Sequence, residues 1–411
     1  MSKRIAIVGR GTAGSISAAL AVSRYLRFGE IVWYYDPSIQ TQAVGEGSTL
    51  RVPGALNQAV GFMHSDLEKL DGTFKSGIRK INWSKDGQND FIHPFLPPQV
   101  SYHFNALKLQ DFLYNRIKSR VKCVEGSVSS EEIDADYIID CSGKPSDYTS
   151  FEMSSYIPVN SVYVTQCFWD RAEFQYTMTI ARPYGWVFGI PLMNRCSIGY
   201  MYNNTINTLD EVKEDVKHVF KQLNLTPSDT TNSFSFKNYR RIHNFKNNIA
   251  YNGNASFFLE PLEATSITVM IDIMDIVNDI VKRSRPLHSA NTIYSSRLED
   301  VERLIMLHYL NGSAFDTQFW NFAQRRAEQC ILQAKNDPDY MIKILSSEYT
   351  SFGTNGQELL KKNGYSKNPD FSQEWPLNSY RLNLGPHGFN IYDKIKNLWG
   401  VKTIADIQNL R

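Results

Sequence analysis

Charge excess is the first thing this chain lacks. Its 44 Lys and Arg offset 42 Asp and Glu almost one for one, leaving a formal net charge of +2, so no bulk field draws it to nucleic acid or to an anionic membrane. Cysteine is scarce as well. The five thiols Cys123, Cys141, Cys167, Cys196 and Cys330 are odd in number and form no CxxC pair, a pattern of buried reduced thiols rather than a disulfide frame or metal site. The eight histidines make no HxH or HxxxH pairing with an acid, which argues against zinc or iron. No run of 18 apolar residues is present to span a bilayer. The apolar stretch after Met1-Ser2-Lys3-Arg4 stops at Gly9, too short for the core of a secretory signal. A cytoplasmic protein without metal, nucleic-acid partner or membrane partner is expected, and a homo-oligomer stays open.

What the chain has is aromatic mass. Seven Trp, 22 Tyr and 23 Phe make up 13% of 411 residues, enough to line a pocket for a flat ring. The hydrophobic and charged fractions are those of a globular protein, and the length suits two or three packed units.

Residues 4–36 read as one βαβ unit: a buried strand Ile5-Ala6-Ile7-Val8, a glycine turn, a helix from Ser15 to about Phe28, and a second strand ending at Asp36. The stretch 43–100 is rich in glycine and loops, a helix is expected near 105–119, and Ile138-Ile139 is strand-like. From 158 to 202, β-branched and aromatic residues alternate around Pro183-Tyr184-Gly185, predicting antiparallel strands. Helices are expected at 209–223 and 266–283 and through most of 297–411. The expected fold is α/β: a doubly wound, Rossmann-like nucleotide module with an antiparallel sheet for substrate and a helical C-terminal region. Its expected segments are 1–155 and 241–290 for the module, 156–240 for the sheet, and 291–411 for the helices.

Gly9-x-Gly11-x-x-Gly14 follows a strand and opens a helix. Glycines there permit the tight turn, the close approach of a pyrophosphate and close helix–strand packing. The helix start adds free N–H donors, including those of Thr12 and Ala13, and a positive dipole end. Asp36, 22 residues after Gly14, stands where a carboxylate can accept ribose hydroxyls. These residues alone leave FAD and NAD both open. Asp140-Cys141-Ser142-Gly143 ends another apolar strand, and its small residues suit a chain passing close to a cofactor.

Taken in order along the chain, these segments and several others resemble the flavin-dependent halogenases, in particular the tryptophan-halogenase branch. The resemblance runs from residue 4 to about 353. It is carried by Gly9 to Gly14, Gly45-Glu46-Gly47-Ser48-Thr49, Thr73-Phe74-Lys75 leading to Ile81-Asn82-Trp83, and Phe91-Ile92-His93-Pro94-Phe95. Further on, Asp140 to Gly143, Trp186-Val187-Phe188-Gly189-Ile190-Pro191, Glu260-Pro261-Leu262-Glu263-Ala264-Thr265-Ser266, His308-Tyr309 and Asp316 to Trp320 complete it. In that family, FAD arrives reduced from a separate NAD(P)H-dependent flavin reductase. With oxygen it turns a halide into hypohalous acid, which a buried lysine aims at an aromatic ring.

The resemblance implies Lys75 as that lysine and Glu263 as the glutamate that stabilises the ring cation, accepts its proton and sets the lysine's charge. Gly45, Glu46, Ser48 and Asp140 join the glycine turn and Asp36 as cofactor contacts. Thr265 and Ser266 hold the halide through backbone N–H groups, and His93 and Phe95 flank the substrate ring. Trp186, Phe188, Ile190 and Pro191 form the wall between flavin and substrate. Three departures from the family pattern stand out: Phe188 replaces a tryptophan, Ala264 a serine and Ser266 a glycine. No segment after 353 matches the residues that grip free tryptophan, so a smaller indole, a phenol or another electron-rich arene is as well suited. A single-component flavin hydroxylase and a flavin-binding protein without turnover are the competing readings.

Overall fold

The computed structural model describes residues 3–40, 46–83, 85, 90–95, 99–341, 344, 388–401 and 406. Its first layer is a six-stranded sheet in the order Phe245–Lys246, Ile249–Tyr251, Tyr137–Asp140, Lys3–Val8, Gly29–Tyr35, Lys122–Glu125. Lys3–Val8 lies at its centre, parallel to both neighbours. That position explains why Ile5, Ala6, Ile7 and Val8 are all buried instead of alternating. Helices Thr12–Tyr25, Ala106–Ile117 and Ser266–Val281 pack beside it. Asn105 starts the second of these by accepting from Leu107 N and Lys108 N.

The second layer is a seven-stranded sheet in the order Pro227–Ser235, Ser161–Phe168, Arg195–Tyr202, Gly185–Pro191, Thr177–Arg182, Gly77–Ile81, Asp90–Pro94. Its pairs are antiparallel except for Gly77–Ile81, which runs parallel to Thr177–Arg182. Helix Leu209–Gln222 covers one face through Val212, Val216 and Val219. Its start carries the Thr208/Glu211 reciprocal cap. The opposite face joins the main core through Trp186 and Phe188. Helices Leu287–Leu310 and Gln318–Gln333 close that side. Trp320 Nε1 donates to Arg182 O at 2.7 Å and Thr317 Oγ1 to Pro183 O at 2.7 Å, pinning the second helix to the sheet's turn.

The helices expected at about 105–119, 209–223 and 266–283 are present as Ala106–Ile117, Leu209–Gln222 and Ser266–Val281. The stretch expected to be mostly loop holds more structure than its composition implies. Arg51–Val60 is helical despite Pro53, which falls in the first turn where a missing N–H costs nothing. Two short strands follow, Thr73–Lys75 and Gly77–Ile81; the first pairs with Ser101–His103 so that Lys75 lies opposite Ser101. Among the described residues no helix is long and apolar enough to cross a membrane.

Candidate active site

The glycine turn has the shape that a dinucleotide requires. Gly9 sits at φ +95°, and a Cβ there would fall 2.3 Å from Cys141 O; one on Gly14 would fall 2.1 Å from Gly9 O. Both positions are closed to side chains by backbone. Gly11 differs, since a Cβ there meets nothing within 4 Å and the space above it is open. No side chain caps helix Thr12–Tyr25, so the N–H groups of its first turn, Thr12 and Ala13 included, face that space without an intrahelical partner. Thr12 Oγ1 accepts from Gln110 Nε2 at 3.1 Å, and Gly253, at φ +60°, lets its loop pass against Ala13. Asp36 ends the second strand at the surface. Ser38 and Ser127 hydrogen-bond it and hold its carboxyl below the usual range. Asp140, buried at the end of Tyr137–Asp140, accepts from Ser130 Oγ at 2.7 Å and Ser142 N at 2.9 Å. An open glycine, an uncapped helix and a terminal acid fit a dinucleotide such as FAD.

A second centre gathers around Glu263. Lys75 is 1% exposed and makes no hydrogen bond or ion pair with a described residue; the Phe95 ring centroid is 5.7 Å from its Nζ. Burial drives its pKa down to about 8, with Glu263 pulling upward and Lys80 pushing further down. Glu263 is buried too. Its Oε1 accepts from Lys80 Nζ at 2.7 Å and lies 2.9 Å from His308 Nε2, off the line of a straight hydrogen bond. Burial opposes its charge, but the Lys80 ammonium outweighs burial and holds the carboxyl well below the usual range. His308 Nδ1 donates to Leu304 O at 2.9 Å, and burial together with Lys80 keeps the ring's pKa low. Beside Lys75, His103 lies between Thr73 Oγ1 and Thr177 Oγ1; burial first and Lys75 second keep its pKa far below the ordinary value.

Backbone strain marks the same place. Glu263 and Ala264 are consecutive non-glycine residues at φ +73° and +54°, a conformation that costs on the order of 1–3 kcal/mol per residue. This kink turns Glu263 toward Lys80 and hands the chain to helix Ser266–Val281. That helix also begins without a side-chain cap. Thr265 is buried at the N-cap position and Ser266 is the first helical residue, so the N–H groups of this turn form a donor cluster suited to an anion.

Strand Gly185–Pro191 presents Trp186, Phe188 and Ile190 on one face. Trp186 is 1% exposed and belongs to an aromatic cluster with Trp83, Tyr309 and Trp320. Phe188 lies over Gly199, its cross-strand partner, where a Cβ would come within 2.0 Å of the ring. Ile190 and Ala264 both approach Gly47. Pro191 O accepts from Thr73 Oγ1 at 2.8 Å, tying the wall to the lysine strand.

Other expected contacts have different surroundings. Glu46 is buried in a network with Arg195 and Ser197, and Ser48 bonds Ser101 and Tyr102 O, so both side chains brace the scaffold. Gly45 lies outside the described residues. His93 is described only by its backbone, in strand Asp90–Pro94. A polar cleft of about 580 Å³, lined by Glu152, Arg240, Glu302 and Arg303 among others, shares no residue with the Lys75–Glu263 centre.

Lys80 and His103 were not expected at this centre, and His308 was noted only as part of a motif. The available signal for Lys80 was alternation. It is two residues from Ile78, on the same face of a strand, where an apolar residue is the default.

Comparison with known proteins agrees with this architecture. The tryptophan halogenase family model matches residues 4–110 and 97–337. The tryptophan 7-halogenase RebH of Lentzea aerocolonigenes is 23% identical over 415 residues, covering 77% of this chain and 78% of the relative. Among solved structures, the tryptophan halogenase of Shewanella frigidimarina superposes with a TM-score of 0.74 at 18% identity, covering 99% of this chain and 95% of that one. BrvH, a flavin-dependent halogenase from Brevundimonas, gives 0.70 at 19% identity over 100% and 96%. The glycine turn, the buried lysine and the strained glutamate therefore sit in a chain that belongs to the tryptophan-halogenase family of flavin-dependent halogenases.

Proposed function

We propose that this enzyme halogenates an electron-rich aromatic ring, with Lys75 and Glu263 directing the electrophile. The observation that carries this reading is a buried lysine without a hydrogen-bond partner among the described residues, near a charged, buried carboxylate and an aromatic cluster. FAD, when bound and reduced, supplies with oxygen the oxidising equivalents that convert a halide to hypohalous acid. Gly11, Thr12 and Ala13 would hold its pyrophosphate through backbone N–H groups and Asp36 its ribose. The turn at Thr265 and Ser266 would hold the halide.

The remaining chemistry belongs to this chain's own side chains. Lys75, with its pKa lowered to about 8, has a substantial amine fraction near neutral pH. It binds the hypohalous acid by hydrogen bond or as a haloamine and aims the halogen at one ring carbon. As a haloamine forms, the halogen–oxygen bond breaks and an amine proton leaves with the hydroxide as water; the nitrogen–halogen bond then breaks as the carbon–halogen bond forms. When the acid is only hydrogen-bonded, the halogen–oxygen bond breaks as the carbon–halogen bond forms, and the Lys75 ammonium protonates the departing hydroxide to water. Glu263 stabilises the ring cation and takes the ring proton on Oε2, the oxygen not committed to Lys80. Its low basicity is no obstacle, because a protonated arene is a far stronger acid than any carboxylic acid. Trp186, Phe188 and Ile190 separate the oxidation site from the ring, so the ring meets the oxidised halogen and not the flavin. Phe95 would flank the ring, and the family resemblance implies the same role for His93.

Reduced flavin would come from a separate NAD(P)H-dependent reductase. The substrate would be an indole, a phenol or a similar arene. The test supplies FAD, a generic flavin reductase, NADH and oxygen, with chloride, bromide and iodide in turn, to a panel of indoles and phenols. Mass spectrometry should find products whose mass follows the halide. Hydroxylated products that ignore the halide would overturn the reading in favour of a hydroxylase.

A further inference from the structure

Two lysines and one carboxylate are sealed together in this centre: Lys75 and Lys80 are each 1% exposed and Glu263 is 7% exposed. One carboxylate can offset one ammonium, and a second would be buried without compensation. The geometry distinguishes the two. Lys80 Nζ lies 2.7 Å from Glu263 Oε1, whereas Lys75 makes no ion pair with a described residue. Lys80 is also rigidly mounted. It sits beside Thr179 in the seven-stranded sheet, Thr179 beside Phe188, and Phe188 beside Gly199, so one row across the sheet carries both Lys80 and the wall.

We propose that Lys80 is a positioning residue of the halogenation centre: its ammonium, and not that of Lys75, is the ionic partner that fixes Glu263, leaving the Lys75 nitrogen free to hold the oxidised halogen. The inference rests on the halogenase reading for its consequence, but the pairing can be measured without turnover. Glu263 is faced by Lys80 from Gly77–Ile81, His308 from Leu287–Leu310 and Lys75 from Thr73–Lys75. Lys75 is faced by Glu263, Lys80 and uncharged His103. The Lys80 ammonium also lies 5.5 Å from the Trp83 ring centroid, a neighbour that favours retention of its charge. Without Lys80, Lys75 becomes the only ammonium near Glu263, and the attraction between them holds its proton more tightly.

The experiment is an NMR titration of the full-length protein labelled with 13C-lysine, with the Lys75 signal assigned by its loss in Lys75→Met. In wild type Lys75 should titrate near pH 8. In Lys80→Met its midpoint should rise by about one unit or more, and in Lys80→Arg, which retains the cation, it should return toward wild type. Halogenated product per flavin oxidised at neutral pH should fall about tenfold in Lys80→Met, the change in amine fraction for one unit, and recover in Lys80→Arg. An unchanged Lys75 midpoint in Lys80→Met overturns the proposal. If that variant does not fold, Lys80→Gln, which keeps a donor without the charge, replaces it and is held to the same midpoint shift. A wild type that titrates as described but makes no halogenated product would remove the halogenase reading and leave the pairing in place.

Discussion

Replacing Lys75 with methionine should make the protein more stable while abolishing halogenation. Methionine has nearly the same length and no charge. Burial lowers the Lys75 pKa from 10.5 to about 8, a drop worth about 3 kcal/mol at about 1.4 kcal/mol per unit. The folded-state value lies below the unfolded one, so between about pH 8 and 10.5 the unfolded chain binds more protons and wild-type stability rises with pH. Below pH 8 the full penalty is present. Urea unfolding at pH 7 should therefore show Lys75→Met about 2–3 kcal/mol more stable than wild type, with the gap closing toward pH 10.5. A variant less stable than wild type at pH 7, or a gap that ignores pH, would refute the idea that Lys75 is a charge buried for function.

The other predictions concern the residues around it. Glu263→Gln leaves Lys80 buried without a counter-charge, which should cost about 3–5 kcal/mol and lower Tm on the order of 10 °C, measured by calorimetry, with loss of product. Gly11→Ala should leave Tm unchanged, because its Cβ enters open space. In the proposed cofactor site the same methyl would occupy the phosphate cradle, so FAD affinity measured by fluorescence titration should fall at least about tenfold. Gly199→Ala drives a Cβ into the Phe188 ring. The displaced wall should raise flavin oxidation relative to halogenated product, read by oxygen uptake against mass spectrometry.

The elements that carry local signals were legible in the sequence. The strand–glycine–helix start at residues 5–14 declares itself, because only glycine tolerates the backbone contacts at Gly9 and Gly14. Lys75 and Glu263 were legible through their motifs, and the fold then brought residues 188 positions apart into one centre. Lys80 was hidden by the general rule that lysines are solvated. Alternation with Ile78 aims it inward, but its place beside Glu263 depends on the parallel pairing of its strand with Thr177–Arg182, a long-range register that no local pattern reports. Glu46 illustrates the same limit from the other side. The resemblance implied a cofactor contact for it, and the ion pair its side chain makes with Arg195, 149 residues away, has no local signal. The helix at Arg51–Val60 was obscured by Pro53, whose harmless position in the first turn becomes evident only once the helix start is known.

The central claim is that Lys75 carries the halogen to the ring. The most direct measurement compares wild type with Lys75→Ala, each given bromide, oxygen and reduced FAD from the same reductase, with flavin oxidation and brominated product recorded together. The account predicts similar flavin oxidation in both proteins and brominated product only in wild type. Equal bromination by Lys75→Ala would contradict it.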